Sequence, residues 1–172
     1  FIDIGSAWEH DELEVYQERR SVLIAERILS ELRGLLAPPR EDAPVALGGT
    51  LEGDPYSLAT AMCELILRSC GWNAQNLGTW HPANTFIAAI ETHRPRIFWL
   101  STSSIADSAT LQSSVAAIAN AAHEYGTALI VGGQAIRNEE ARHPLNFTAY
   151  CESMTRLESL ANQLIAPSHL PT

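Results

Sequence analysis

Three short segments gather the side chains that could do chemistry. Gly49-Thr-Leu-Glu-Gly-Asp-Pro-Tyr-Ser-Leu-Ala59 places Asp54 and Tyr56 between a short apolar run and an amphipathic stretch. It is long for a connection between a strand and a helix, and such loops are often functional. Ser101-Thr-Ser-Ser104 is rich in small hydroxyls, which leave room for a ligand and hydrogen-bond to it; an ordinary Ser/Thr turn before a helix capped near Asp107 has the same composition. Gly132-Gly133 permits close backbone approach, or simply a turn. Asp54 reads as a helix N-cap with Pro55 at the first helical position. Tyr56 reads equally as packing or as a ligand contact. The chemistry implied is recognition rather than bond making. No nucleophile is spaced to pair with a base, no Gly-Lys-Ser/Thr phosphate loop follows Gly49, and no GxGxxG is present. Six histidines show no HxxxH or Cys/His ligand spacing, so no metal site is expected. His81, just before Pro82, is the one histidine on a candidate ligand edge.

The elements that must position these segments alternate. Residues 11–36 read as one long helix, with Val15, Val22, Leu29 and Leu36 at a seven-residue period. Ile24, Ile28 and Leu35 widen that stripe, which predicts packing against something broad. Glu18 falls on the same stripe, where a carboxylate is out of place. Prolines then stop the helix. Strands are predicted at 45–48, 73–78, 97–100, 128–131 and 147–150. Helices lie between them, with Leu58, Met62, Leu65 and Ile66 facing inward on the first and a last helix at 153–165. The central strands are apolar throughout, as in parallel sheets buried on both faces. The expected fold is therefore α/β, a flavodoxin-like five-stranded parallel sheet of order 2-1-3-4-5, preceded by a partial helical bundle. The expected domains are a helical cap segment at 1–38, a Pro-rich linker at 39–44, the α/β domain at 45–166 and a tail at 167–172. In that order strands 1 and 3 are neighbours whose connections leave in opposite directions. Ligands bind in the crevice above such a switch point, where the loops after Gly49 and after Ser101 meet.

Composition narrows the partners. Eleven Lys and Arg stand against twenty Asp and Glu, a net charge of −9, so the basic footprint of nucleic-acid binding is lacking. Ten of the twenty carboxylates fall in the first 42 residues, which reads as a solvated helical surface. No apolar run is long enough for a membrane span, and no signal-peptide pattern opens the chain. Three cysteines, an odd number without CxxC, argue against a disulfide framework and point to cytoplasm. The start at Phe1, without Met, suggests a piece of a longer protein.

Taken together, a helical segment with Trp8, a Pro-rich linker and a flavodoxin-like domain resemble the cobalamin-binding regulatory module. That module lies C-terminal to MerR-type DNA-binding domains in light-sensing repressors, and also occurs in corrinoid proteins related to methionine synthase. Trp8 followed by Glu18 looks like the family's Trp…Glu-His over the upper corrin face. Asp54-Pro-Tyr-Ser-Leu-Ala59 sits where the family has Asp-x-His-x-x-Gly, Ser101-Thr-Ser103 where it has Ser-x-Leu, and Gly132-Gly133 on its Gly-Gly turn. The resemblance implies a cofactor-binding set of Trp8, Glu18, Asp54, Tyr56, Leu58, Ala59, Ser101, Ser103, Gly132 and Gly133, with no catalytic residue.

The departures fall on the residues that matter most. Tyr56 stands where the family's lower cobalt ligand is His, Arg19 where a His follows the Glu, Ala59 where Gly lets the nucleotide tail pass, and Ser103 where Leu is usual. A neutral phenol, with a pKa near 10, is a poor substitute for imidazole. Three readings follow. One is a cobalamin sensor, part of a transcriptional regulator, that binds base-on or weakly. Another is a degenerate module serving interaction or dimerisation, with a second copy as partner. The third is a heme sensor on the same fold, with His81 as axial donor. Any DNA contact belongs to a domain absent from this chain, no membrane is involved, and no enzyme activity is expected.

Overall fold

The computed structural model describes residues 15–165; Trp8, the cap residues before Val15 and the tail at 167–172 lie outside them. The chain divides after Ala37 into two compact units.

The first unit contains α1, Val15–Leu35. An Arg27–Glu31 pair at 3.1 Å spans one turn of its exposed face. Such exposed pairs contribute about 0.3–0.5 kcal/mol. Ala25 is buried, whereas Ile24, Ile28, Leu32 and Leu35 are exposed.

The second unit is a five-stranded parallel sheet of order β2-β1-β3-β4-β5, the commoner flavodoxin-like order that was expected. The strands are β1 Val45–Gly49, β2 Asn73–Asn76, β3 Ile97–Ser101, β4 Ala128–Gly132 and β5 Ala149–Cys151. Between and after them run α2 Ser57–Ser69, α3 Ala83–His93, α4 Ser108–Glu124, a short α5 Glu139–Arg142 and α6 Met154–Ile165. The short α5, and the 3-10 turn Gln134–Ile136 before it, have no apolar period and were not foreseen. The weak strands shift: β2 stops at Asn76, and β5 begins at Ala149 rather than 147.

Alternation along β3 builds two cores. Phe98 and Leu100 face α3 and α4 with Phe86, Ile90, Val115 and Ile118. Phe86 meets Phe98 edge-on, with ring centroids 5.1 Å apart. Ile97 and Trp99 face α2 and α6 with Leu67, Trp72, Leu157 and Ala161. Each such side chain, fully buried, contributes about 1.5–3 kcal/mol. The inward face of α2 is corrected: Thr60, Glu64 and Leu67 are buried, while Leu58, Met62, Leu65 and Ile66 lie half-buried beside them. Glu64 is tolerated there because Arg68 pairs with it at 3.3 Å and donates to the Ala74 carbonyl.

Candidate functional site

The register places the ends of β1 and β3 side by side, Gly49 opposite Leu100, and their loops rise from the same carboxyl edge. Asp54 is not the helix cap that its sequence context suggests. Helix α2 begins at Ser57 with Tyr56 at the N-cap and no side-chain cap. Asp54 instead ties the two switch-point loops together. Its Oδ1 accepts the Tyr56 N–H at 3.1 Å and its Oδ2 accepts the Ser103 N–H at 2.5 Å. Only 2% of the residue is exposed. Burial pushes its carboxyl above the usual range, and the backbone donors of Ser103, Tyr56 and Ser104 oppose that shift.

Thr50, which the sequence did not single out, joins the loops after β1 and β2. Its hydroxyl donates to the Asp54 carbonyl at 2.6 Å and accepts the Trp80 N–H at 3.2 Å. Its backbone pairs with Gly78 and His81, and an isolated bridge joins Leu51 to His81. The His81 ring is spoken for: Nε2 lies 2.8 Å from the Leu77 carbonyl. That carbonyl can only accept, so the proton sits on Nε2 and Nδ1 keeps the free lone pair. Asp107, as expected, caps α4 by accepting the Thr110 N–H at 2.8 Å.

These loops enclose a cleft of about 270 Å³, lined by Glu52, Asp54, His81, Ser101, Thr102, Ser104, Asp107 and Thr110 with Leu51, Ile105 and Leu111 among the apolar residues. Its charged residues are carboxylates; no Lys or Arg lines it. A larger hollow of about 370 Å³ lies away from this edge, around His123, Gly126 and Phe147, and none of the described sequence-nominated residues lines it. Of the nominated set, Asp54, Ser101 and His81 line the cleft. Tyr56 is 52% exposed beside it, Ser103 contributes its backbone N–H, and Leu58 and Ala59 lie half-buried on α2. Gly132 and Gly133 serve the loops themselves. A Cβ on Gly132 would come 2.7 Å from the Cys151 carbonyl, and one on Gly133 would strike the Thr102 backbone. Gly133 also has a φ of +123°, open only to glycine at low cost. Glu18 lies within α1 but its side chain is outside what the structure describes.

Below Ser101, on the same face of β3, stands Trp99, 2% exposed. Its Nε1–H donates to Thr60 Oγ1 at 2.9 Å, Thr60 donates to Asn76 Oδ1 at 3.0 Å, and Asn76 accepts the Gly78 N–H at 3.0 Å. The indole packs so closely on Gly48 that any Cβ there would overlap it. The indole therefore occupies the space between Gly48 and Thr60. Nothing in the spacing of Ile97-Phe-Trp-Leu100 signals this, because a buried Trp and a buried Leu read alike.

Comparison with solved structures identifies the fold. A cobalamin-binding protein of Desulfitobacterium hafniense DCB-2 is 15% identical, with 95% of this chain and 77% of that one aligned and a TM-score of 0.62. The monomethylamine corrinoid protein of Methanosarcina barkeri is 15% identical over 93% and 76% of the two chains, with a TM-score of 0.76. The methanol:cobalamin methyltransferase complex of the same organism is 18% identical over 96% and 64%, with a TM-score of 0.63. No protein-family model and no curated protein matches the sequence. The chain thus has the fold of cobalamin-binding domains, a flavodoxin-like α/β architecture.

The donor set sets the terms on which such a cofactor would fit. The residues present do not fit a cobalamin held by a protein imidazole with its nucleotide tail in the core: position 56 is a phenol, and Trp99 fills the space below Ser101.

Proposed function

We propose that this chain is a cobalamin-binding-like regulatory module that takes a corrinoid across the carboxyl edge, with the ligand's own base, not a protein imidazole, below cobalt. The observation that carries this reading is the pairing of a preassembled edge with a filled interior. Asp54 and Thr50 lock three loops together, while Trp99 is buried below Ser101 and packed against Gly48. When bound, such a cofactor would supply a cobalt centre that responds to light and to reduction. The acidic, hydroxyl-rich cleft favours the neutral amide-bearing corrin over a porphyrin, whose propionates would face Glu52 and Asp107. Support for a regulatory rather than catalytic role comes from an edge where Asp54 and Thr50 bond to neighbouring loops. With a net charge of −9, contact with DNA would fall to another part of the protein.

A second reading, an interaction module that pairs with a second copy, rests on the exposed Ile24, Ile28 and Leu35 of α1. Incubation with hydroxocobalamin, adenosylcobalamin or hemin, followed by desalting and visible spectroscopy, separates the readings. A retained corrin band in the base-on form is expected. A Soret band alone would favour the porphyrin, with His81 or Tyr56 as candidate donor, and no retained colour would favour the interaction module.

A further inference from the structure

Large apolar side chains left in water are informative when they cluster, because a scatter of them is normal. Among the described residues of the α/β unit, two large apolar side chains are exposed, Tyr56 at 52% and Trp80 at 57%. Both are aromatic, and both sit on the carboxyl edge, on the loops after β1 and β2. Those strands are adjacent, and Thr50 bonds to both loops, to the carbonyl of Asp54 and to the N–H of Trp80. Trp80 is not there for the backbone's convenience. Its φ is +64°, a left-handed conformation that a bulky residue rarely adopts and that glycine would satisfy without strain. The neighbouring cleft, about 270 Å³, is at the small end for ligand pockets. Neither ring lines the cleft, but each adjoins it along the chain: Trp80 precedes His81 and Tyr56 follows Asp54 by two residues, and His81 and Asp54 both line it.

We propose that Trp80 and Tyr56 form an aromatic platform that receives a flat conjugated ring of the ligand by stacking. This rests on the corrinoid reading and names residues for it. The ring could be the corrin itself or the benzimidazole beneath it, and ligands with and without that base distinguish the two.

The test is a titration of the intact chain with cobalamin, with cobinamide, which lacks the base, and with free 5,6-dimethylbenzimidazole. Wild type is compared with Trp80→Ala, Trp80→Phe and Tyr56→Ala. Trp80→Ala should bind about tenfold more weakly, in the range seen for loss of one stacked ring, while Trp80→Phe should recover most of the affinity. Circular dichroism should show all three variants folded. If corrinoids bind equally well to wild type and Trp80→Ala, the platform is refuted and the corrinoid reading stands. If free benzimidazole binds in a Trp80-dependent way while both corrinoids are refused, the corrinoid reading fails and the platform stands. If wild type binds none of the three, both fail. Acrylamide quenching without ligand adds a check. In a Trp8→Phe background, Trp80→Phe should remove the most accessible of the remaining fluorescence, because Trp72 and Trp99 are buried, and an unchanged quenching curve would mean that Trp80 is already covered, which overturns the proposal.

Discussion

The carboxylate of Asp54 accepts the backbone N–H of Ser103 at 2.5 Å, so one buried side chain in the loop after β1 fixes the loop after β3. The bond joins the two strands of the switch point, and it is held by a group that burial would rather keep neutral. Its folded pKa is raised above the unfolded value near 3.9. The protonated form is therefore favoured in the folded state, and the stability it confers is present below about pH 4 and lost as the pH rises through the folded pKa. Urea denaturation of wild type and Asp54→Asn from pH 3.5 to 7 should show wild type losing stability relative to the variant as pH rises. A gap that moves in favour of wild type on going up in pH would contradict the account.

Trp99 and Thr60 give a second prediction. Trp99→Ala should destabilise by about 3–5 kcal/mol, the range for removing a large buried aromatic. Thr60→Val keeps the volume but leaves the indole N–H without its acceptor, at a cost of about 1–3 kcal/mol. Equilibrium denaturation measures both. A loss under about 1 kcal/mol for Trp99→Ala would mean that the indole is not packed as described.

Trp80 should behave in the opposite way. Left-handed backbone costs a non-glycine residue about 1–2 kcal/mol, and glycine returns roughly 0.5–1 kcal/mol of that through the greater freedom of its unfolded state. Trp80→Gly should therefore leave the unfolding free energy unchanged or raise it by about 1 kcal/mol or less, although a large aromatic is removed. A substantial loss of stability would show that the ring packs on the protein rather than waiting for a ligand.

The thiols should be quiet. Burial, with the neighbouring Cys151 thiol adding to it, pushes Cys63 up to about 12, and burial also raises Cys70 and Cys151. The thiolate is the reactive form, so iodoacetamide at pH 8 should label the half-buried Cys63 far more slowly than a free cysteine. Mass-mapped labelling follows this site by site, and labelling of native Cys63 at the rate of a free cysteine would refute its raised pKa.

Much of the scaffold is legible in the sequence because apolar runs such as Ile97–Leu100 and Ala128–Val131 permit few alternatives to buried parallel strands. The strand order came from the commoner topology, not from the residues, and β2-β1-β3-β4-β5 agrees with it. The site was harder to read. Asp54-Pro55 has the local signature of a helix start, yet Asp54 makes a bond 49 residues away, and local pattern carries no record of such a partner. Gly132-Gly133 has the composition of a ligand cradle, but its close neighbour is the Thr102 backbone. Trp80, between Gly78 and Pro82, looks like any loop residue until its exposure and backbone angle are known.

The central claim is that the nitrogen below cobalt belongs to the ligand and not to the protein. Electron paramagnetic resonance of cob(II)alamin bound to uniformly ¹⁵N-labelled protein tests it directly. The account predicts retained cofactor with the three-line splitting of the ligand's own ¹⁴N base. A two-line splitting from protein ¹⁵N, or a protein that retains no cobalamin, would contradict it.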